Sequence, residues 1–187
     1  MLNSFLDKYI FTNTLKYTHN NFFLVDMPFV ITPISVLTNL AGNPDSNLQK
    51  KIYAEVKRSS REHFLEKVSG FGLDKEKQLK FVQDFFVASG WGAIQPVDLN
   101  FDSKRAIIVV DNSPFVVELK GKAKVAVDVF LRGVLAGLFS RIFSENIDCV
   151  EVECAALNFE RCKFIIKPQQ EFDFTNQVVK DQIEVGD

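Results

Sequence analysis

Hydrophobic and polar positions change period several times along the chain, and the changes mark its elements. Residues 14–31, TLKYTHNNFFLVDMPFVI, gather β-branched and aromatic residues around Asn20-Asn21, which predicts a hairpin or two short strands. Pro33 opens a short helical stretch, Ile34 to Leu40, that stops at Gly42-Asn43-Pro44, and Asp45 or Ser46 is placed to cap the next helix. That helix is expected from about Leu48 to Val68, with Leu48, Ile52, Val56, Phe64 and Val68 inward and KRSSRE as its solvated face. A third helix, about Lys75 to Ser89, follows Asp74, turns Leu79, Val82, Phe85 and Phe86 inward, and ends at Gly90.

After Gly90-Trp91-Gly92 the pattern becomes that of strands. Ala93–Leu99, Ala106–Val110 and Pro114–Leu119 are each predicted extended, with DNS as the turn before the last. The most apolar segment, Val125 to Phe143, reads as a fourth helix with Gly133, Ala136 and Gly137 on one side, where another backbone can approach closely. Asp128, Arg132 and Arg141 interrupt it, so it is a buried helix of a soluble protein and not a membrane span. Two strands, Asp148–Ala156 and Cys162–Lys167, are joined through LNFER as a hairpin that ends at Pro168. The predicted fold is α/β (α+β): N-terminal helices on an antiparallel sheet, with a C-terminal hairpin beside a long buried helix. Residues 1–168 form one domain, and 169–187 are a polar, acidic C-terminal extension that packs on the body or on a partner.

Composition narrows the classes of function. The 187 residues are 47% apolar and 25% charged, which excludes a disordered or low-complexity chain. A chain of this length buries roughly 70% of its unfolded surface and needs neither disulfide nor metal to fold. Net charge −2 and a pI near 5.8 give no general attraction to nucleic acid or anionic membranes. Three cysteines are too few for a disulfide scaffold, and the N-terminus lacks a basic-then-apolar leader pattern, so a cytoplasmic location is expected. Nineteen phenylalanines stand beside three tyrosines and one tryptophan. Each is ordinary core, yet Phe64, Phe85, Phe86, Phe130, Phe139 and Phe143 also permit an apolar pocket between helices and sheet.

All three cysteines fall within DCVEVECAALNFERCKF, Asp148 to Phe164, together with several acids. Cys154 and Cys162 lie symmetrically about Asn158, so a regular hairpin sets them opposite each other, with Cβ atoms about 4.5–5.5 Å apart. Two buried thiols, a soft metal on two thiolates, or a disulfide all satisfy that placement. Glu151 and Cys154, three apart, point to opposite faces of a regular strand, so joint action requires a bulge. Cys149 shares a strand face with Glu151 and reads as a small buried side chain. His63, within the second helix, and His19, in a turn, are not placed as ligands.

The stretch from Gly90 to Pro168 resembles the 4-vinyl-reductase type of small-molecule-binding domain. The features that carry the resemblance are GWG at Gly90–Gly92, NSPF at Asn112–Phe115, GVLAG at Gly133–Gly137, EVEC at Glu151–Cys154 and the following CKFIIKP. Relatives of that type include sensory domains of aromatic-responsive bacterial regulators and vesicle-tethering subunits of transport particles. The resemblance implies a structural zinc ion held by Glu151, Cys154 and Cys162, with Asp128, 23 residues before Glu151, where sensor relatives carry a cysteine. A carboxylate is an accepted zinc ligand, though a harder one than thiolate. The competing role for Asp128 is a local cap or a pair with Arg132 one turn on.

The resemblance further implies a ligand pocket, to which Phe85, Phe86, Trp91, Phe130 and Val134 are assigned. Phenol-sensing relatives anchor a hydroxyl with His and Trp, whereas ungapped counting here meets Ile107 and Leu79, which favours a wholly apolar, hydrocarbon-like ligand. No dinucleotide fingerprint, phosphate loop or Ser/His/Asp set accompanies the family's reductase label, and GKAK at Gly121–Lys124 lacks phosphate-loop spacing. The expected function is therefore apolar-ligand binding or sensing, with no catalytic residues, by a homodimer that works through a separate signalling protein. The alternatives are a reductase or reductase subunit acting on a tetrapyrrole vinyl group, and a dimeric scaffold.

Overall fold

The computed structural model describes residues 15–24, 27–64 and 74–184. Three short strands, β1 (Leu15–Thr18), β2 (Asn21–Leu24) and β3 (Met27–Phe29), form an antiparallel sheet of their own. The turn between β1 and β2 is made by His19 and Asn20, both at positive φ, so the expected hairpin is present one residue earlier than the Asn-Asn pair. Helix α1 (Ser35–Ala41) precedes α2 (Ser46–Ser59), whose N-cap Asp45 accepts from the Asn47 and Leu48 amides. The last described turn after α2, Ser60–Phe64, is π-helical. The expected extension of this helix to Val68 lies outside the described residues. Helix α3 (Lys75–Ala88) is capped by Asp74 and ends, as its pattern indicated, just before Gly90 at φ +83°.

The main sheet has β4 (Ala93–Asn100), β5 (Arg105–Asp111), β6 (Ile147–Glu153) and β7 (Cys162–Pro168), antiparallel throughout in the order β4-β5-β7-β6. Strand β7 alternates buried and half-buried residues, with Cys162, Phe164 and Ile166 turned into the core. Helix α5 (Val129–Phe143) is buried along most of its length between the sheet and α2. Its glycines make that crossing possible. A Cβ on Gly133 would lie 2.7 Å from the Val56 Cβ, and one on Gly137 would lie 2.4 Å from the Lys57 carbonyl oxygen.

Two expectations are corrected. Pro114–Leu119 is a helix, α4, and not a strand. Proline suits the first helical position, and Phe115 and Val116 are buried from one side of this short turn, which outweighs the β preference of FVV. The long helix begins at Val129 and not Val125, because residues 125–128 are drawn across to the hairpin described below. The chain beyond Pro168 packs on the body: Phe172, Val179 and Ile183 are buried, the last two in and just after α6 (Gln177–Gln182). The architecture is the mixed α and antiparallel β arrangement read from the sequence.

Candidate functional site

Strands β6 and β7 fall out of step between Glu151 and Glu153. That bulge is the irregularity the spacing demanded, and it lets Glu151 act with Cys154. Glu151, Cys154 and Cys162 each present a ligand-type atom within 4.8 Å of the others, and all three residues are buried. Cys162 closes the group from β7, and its sulfur accepts from the Ala155 amide at 3.4 Å. Among the described residues the cysteines are free thiols.

Asp128 borders this group from the residue before α5. It is fully buried and makes no side-chain cap on that helix, so the expected local cap is not what holds it there. Its amide donates to Glu151 Oε2 at 3.2 Å, and its Oδ1 accepts from the Ser113 hydroxyl. Two carboxylate oxygens here, Asp128 Oδ2 and Glu151 Oε1, are buried without a hydrogen-bond partner among the described residues. Buried acceptors left open are uncommon and costly, which is the mark of a position shaped for a cation or proton.

The electrostatics agree. Burial raises Asp128 to about 6, against the lowering effect of the Ser113 and Cys162 hydrogen bonds. Burial, then the neighbouring Asp128, raises Glu151 well above the usual carboxylate range. The Cys154–Cys162 hydrogen bond holds Cys154 down at about 6 and pushes Cys162 up. The pair therefore shares one proton, and the thiolate character resides on Cys154. Cys149 stands apart from the group, and burial pushes its thiol up, in keeping with a core role.

Behind the carboxylates lies Arg132, buried, with its guanidinium 4.9 Å from the Tyr53 ring centre and its Nη1 donating to the Gln182 carbonyl at 3.0 Å. It does not form the direct pair with Asp128 that the sequence suggested; its charge acts on Asp128 and Glu151 across the interior. Gln182 also grips the backbone of Glu151, accepting from its amide and donating to its carbonyl, both at 2.8 Å. Of these supports, Ser113 falls in the NSPF motif. Gln182 carried no signal in the sequence.

The residues assigned to a pocket occupy a chain of aromatic contacts. Phe85 meets Phe86, Phe86 meets Trp91, Trp91 meets Phe115 and Phe115 stacks on Phe130, with ring centres 5.5–6.3 Å apart. Val134 is half-buried against the same core. An apolar slot of about 10 Å³ lies between α3, the sheet and α5, lined in part by Leu79, Val82, Ile108, Leu135 and Phe139. His63 is exposed and His19 sits in its turn, both away from this group.

Residues 107–168 match the vinyl-4-reductase domain. The matched segment contains Asp128, Glu151, Cys154 and Cys162, and it bears out the resemblance read from the motifs. Among solved structures, the phenol-responsive sensory domain of the transcription activator PoxR, determined with phenol, shares this fold. The TM-score is 0.73, at 14% identity over 96% of each chain. A vinyl-4-reductase family protein from Methanocaldococcus jannaschii aligns at TM-score 0.45 and 14% identity, over 74% of this chain and 96% of that one. A trafficking protein particle complex subunit 3 from Naegleria fowleri, covalently bound to palmitic acid, aligns at 0.45 and 13% over 73% and 82%. Curated protein sequences gave no match. No helix among the described residues is long and apolar enough to cross a membrane.

Proposed function

We propose that this chain is a small-molecule-binding or sensing domain for an apolar ligand, braced by a structural zinc site. The observation that carries the reading is the buried Glu151–Cys154–Cys162 group inside the segment that matches the vinyl-4-reductase domain. The donor set fits a zinc ion: two sulfurs and a carboxylate are gathered, and the open oxygens of Glu151 and Asp128 supply acceptors already stripped of water. Glu151, Cys154, Cys162 and Asp128 are the proposed ligands. A zinc ion with four protein ligands supplies a cross-link and no reactive water. Arg132 offsets the excess negative charge of such a set, and Gln182 fixes the strand that carries Glu151.

The ligand is assigned to the space between α3, the sheet and α5, where Leu79, Leu135 and Phe139 already line an apolar slot. At about 10 Å³ that slot holds no more than a water-sized body, so an organic ligand enters by displacement of α3 and its Phe85, Phe86 and Trp91 contacts. Phe130 and Val134 form the α5 side of the opened pocket. The reading includes a cytoplasmic location, a homodimer, and a separate signalling protein that receives the change in α3.

Native mass spectrometry with elemental analysis of freshly purified protein tests all parts together. One zinc per chain, lost in both Cys154→Ser and Cys162→Ser, is the expected result, with a co-purifying apolar molecule and the mass of a dimer. Full metal retention in both variants would remove the site. A dimer free of ligand after organic extraction points to a scaffold instead, and flavin absorbance points to a reductase subunit.

A further inference from the structure

At the other end of β6 from Glu151 lies an open cleft of about 520 Å³, between α2 and the start of β6. Its α2 side is the stripe Lys50, Ala54, Lys57 and Arg61, spaced by three or four residues along one face, with the small Ala54 leaving room in the middle. Asp148 forms the opposite wall and is 1% exposed. Its Oδ1 accepts from the Tyr53 hydroxyl and the Lys57 ammonium, each at 2.6 Å. Its Oδ2 has no partner among the described residues.

The surrounding wall is built and not merely charged. Lys57 also donates to Asn146 Oδ1, Asn146 donates to Gln169 Oε1, and Gln169 donates to the Glu184 carbonyl. These bonds fix the cleft with an open carboxylate oxygen in its wall. Arg58 is engaged by Glu55 and Glu62, and Lys57 by Asp148. Lys50 and Arg61 form no ion pair among the described residues, so their charge is available to a ligand.

The two halves of the cleft ask for opposite things. The buried Asp148 oxygen requires a hydrogen-bond donor and repels an anion, while Lys50 and Arg61 require an acceptor and repel a simple cation. We propose that this cleft is a second, polar ligand site, taking a small molecule with an ammonium or hydroxyl group at one end and a phosphate or carboxylate at the other. The donor end meets Asp148 and the anionic end meets Lys50 and Arg61. A cleft of this volume is in the range of small-molecule sites. The proposal is independent of the zinc reading and of the apolar pocket.

Phosphoethanolamine joins both groups in one molecule, and ethanolamine and inorganic phosphate are its separate halves. Amide chemical shifts of the full chain, followed as each is titrated in, test the site. Phosphoethanolamine is expected to move amides within 50–61 and 146–148 and to bind at least tenfold more tightly than either half. The surface double variant Lys50→Ala/Arg61→Ala, chosen because Asp148 substitutions endanger folding, should weaken it at least tenfold, and Lys163→Ala should not. Inorganic phosphate or ethanolamine binding as tightly as phosphoethanolamine, no binding at all, or binding indifferent to the double variant would each overturn the proposal.

Discussion

At the residue scale the two buried carboxylates govern how the metal-free protein responds to acid. Burial raises Asp128 from an ordinary 3.8 to about 6, and Glu151 moves the same way. The folded state therefore binds protons more tightly than the unfolded chain. Their stabilising contribution is complete below the unfolded values and is lost as pH rises through the folded ones. Metal-free protein should lose stability relative to Asp128→Asn between about pH 4 and pH 7, measured by thermal melts at half-unit steps; a constant difference would refute the assignment. Zinc binding reverses the slope, because the ligands must be deprotonated to hold it. Donor softness gives a second expectation. Asp128→Cys replaces a hard oxygen by thiolate, and zinc affinity measured by chelator competition should rise by at least tenfold if this position is a ligand.

At the scale of elements, the α2–α5 crossing depends on the absence of two side chains. Gly137→Ala drives a Cβ to 2.4 Å from a backbone oxygen that cannot turn aside. Overpacking of that kind costs about 1–3 kcal/mol. At about 2–4 °C of Tm per kcal/mol for a chain of this length, calorimetry should show a clear drop, whereas Asp45→Ala should lose only the N-cap, about 1 kcal/mol. The small-residue side of α5 was legible in the sequence because helix period and side-chain size are local properties. So was the opposition of Cys154 and Cys162, which follows from hairpin symmetry, and the need for a bulge beside Glu151. Helix α4 was not legible: PFVVEL has the composition of a strand, and only burial of Phe115 and Val116 against the core decides its conformation. Arg132 was visible as a charge in an apolar run, but its partners, Tyr53 and the Gln182 carbonyl, come from positions 79 residues before and 50 after it. Local pattern carries no record of such meetings. For the same reason Asp148, Tyr53 and Lys57 gave no sign of the cleft they form.

At the scale of the molecule, β6 occupies one border of the main sheet, and three remote segments converge on it. Its outward amides at Ile147, Cys149 and Glu151 are met by the Ser140 hydroxyl from α5, the Tyr53 hydroxyl from α2 and the Gln182 side-chain oxygen from α6. No second strand runs there among the described residues, yet the donors that a strand would use are taken. A bare sheet border invites pairing with a neighbouring molecule. Gln182→Ala should free the Glu151 amide and carbonyl together, and light scattering at rising concentration is expected to report earlier association than for the parent chain, even where the melting temperature changes little. Equal association behaviour would show that Ser140 and Tyr53 suffice. The C-terminal helix thus has a duty unrelated to ligand or metal: it keeps each chain from becoming a template for the next.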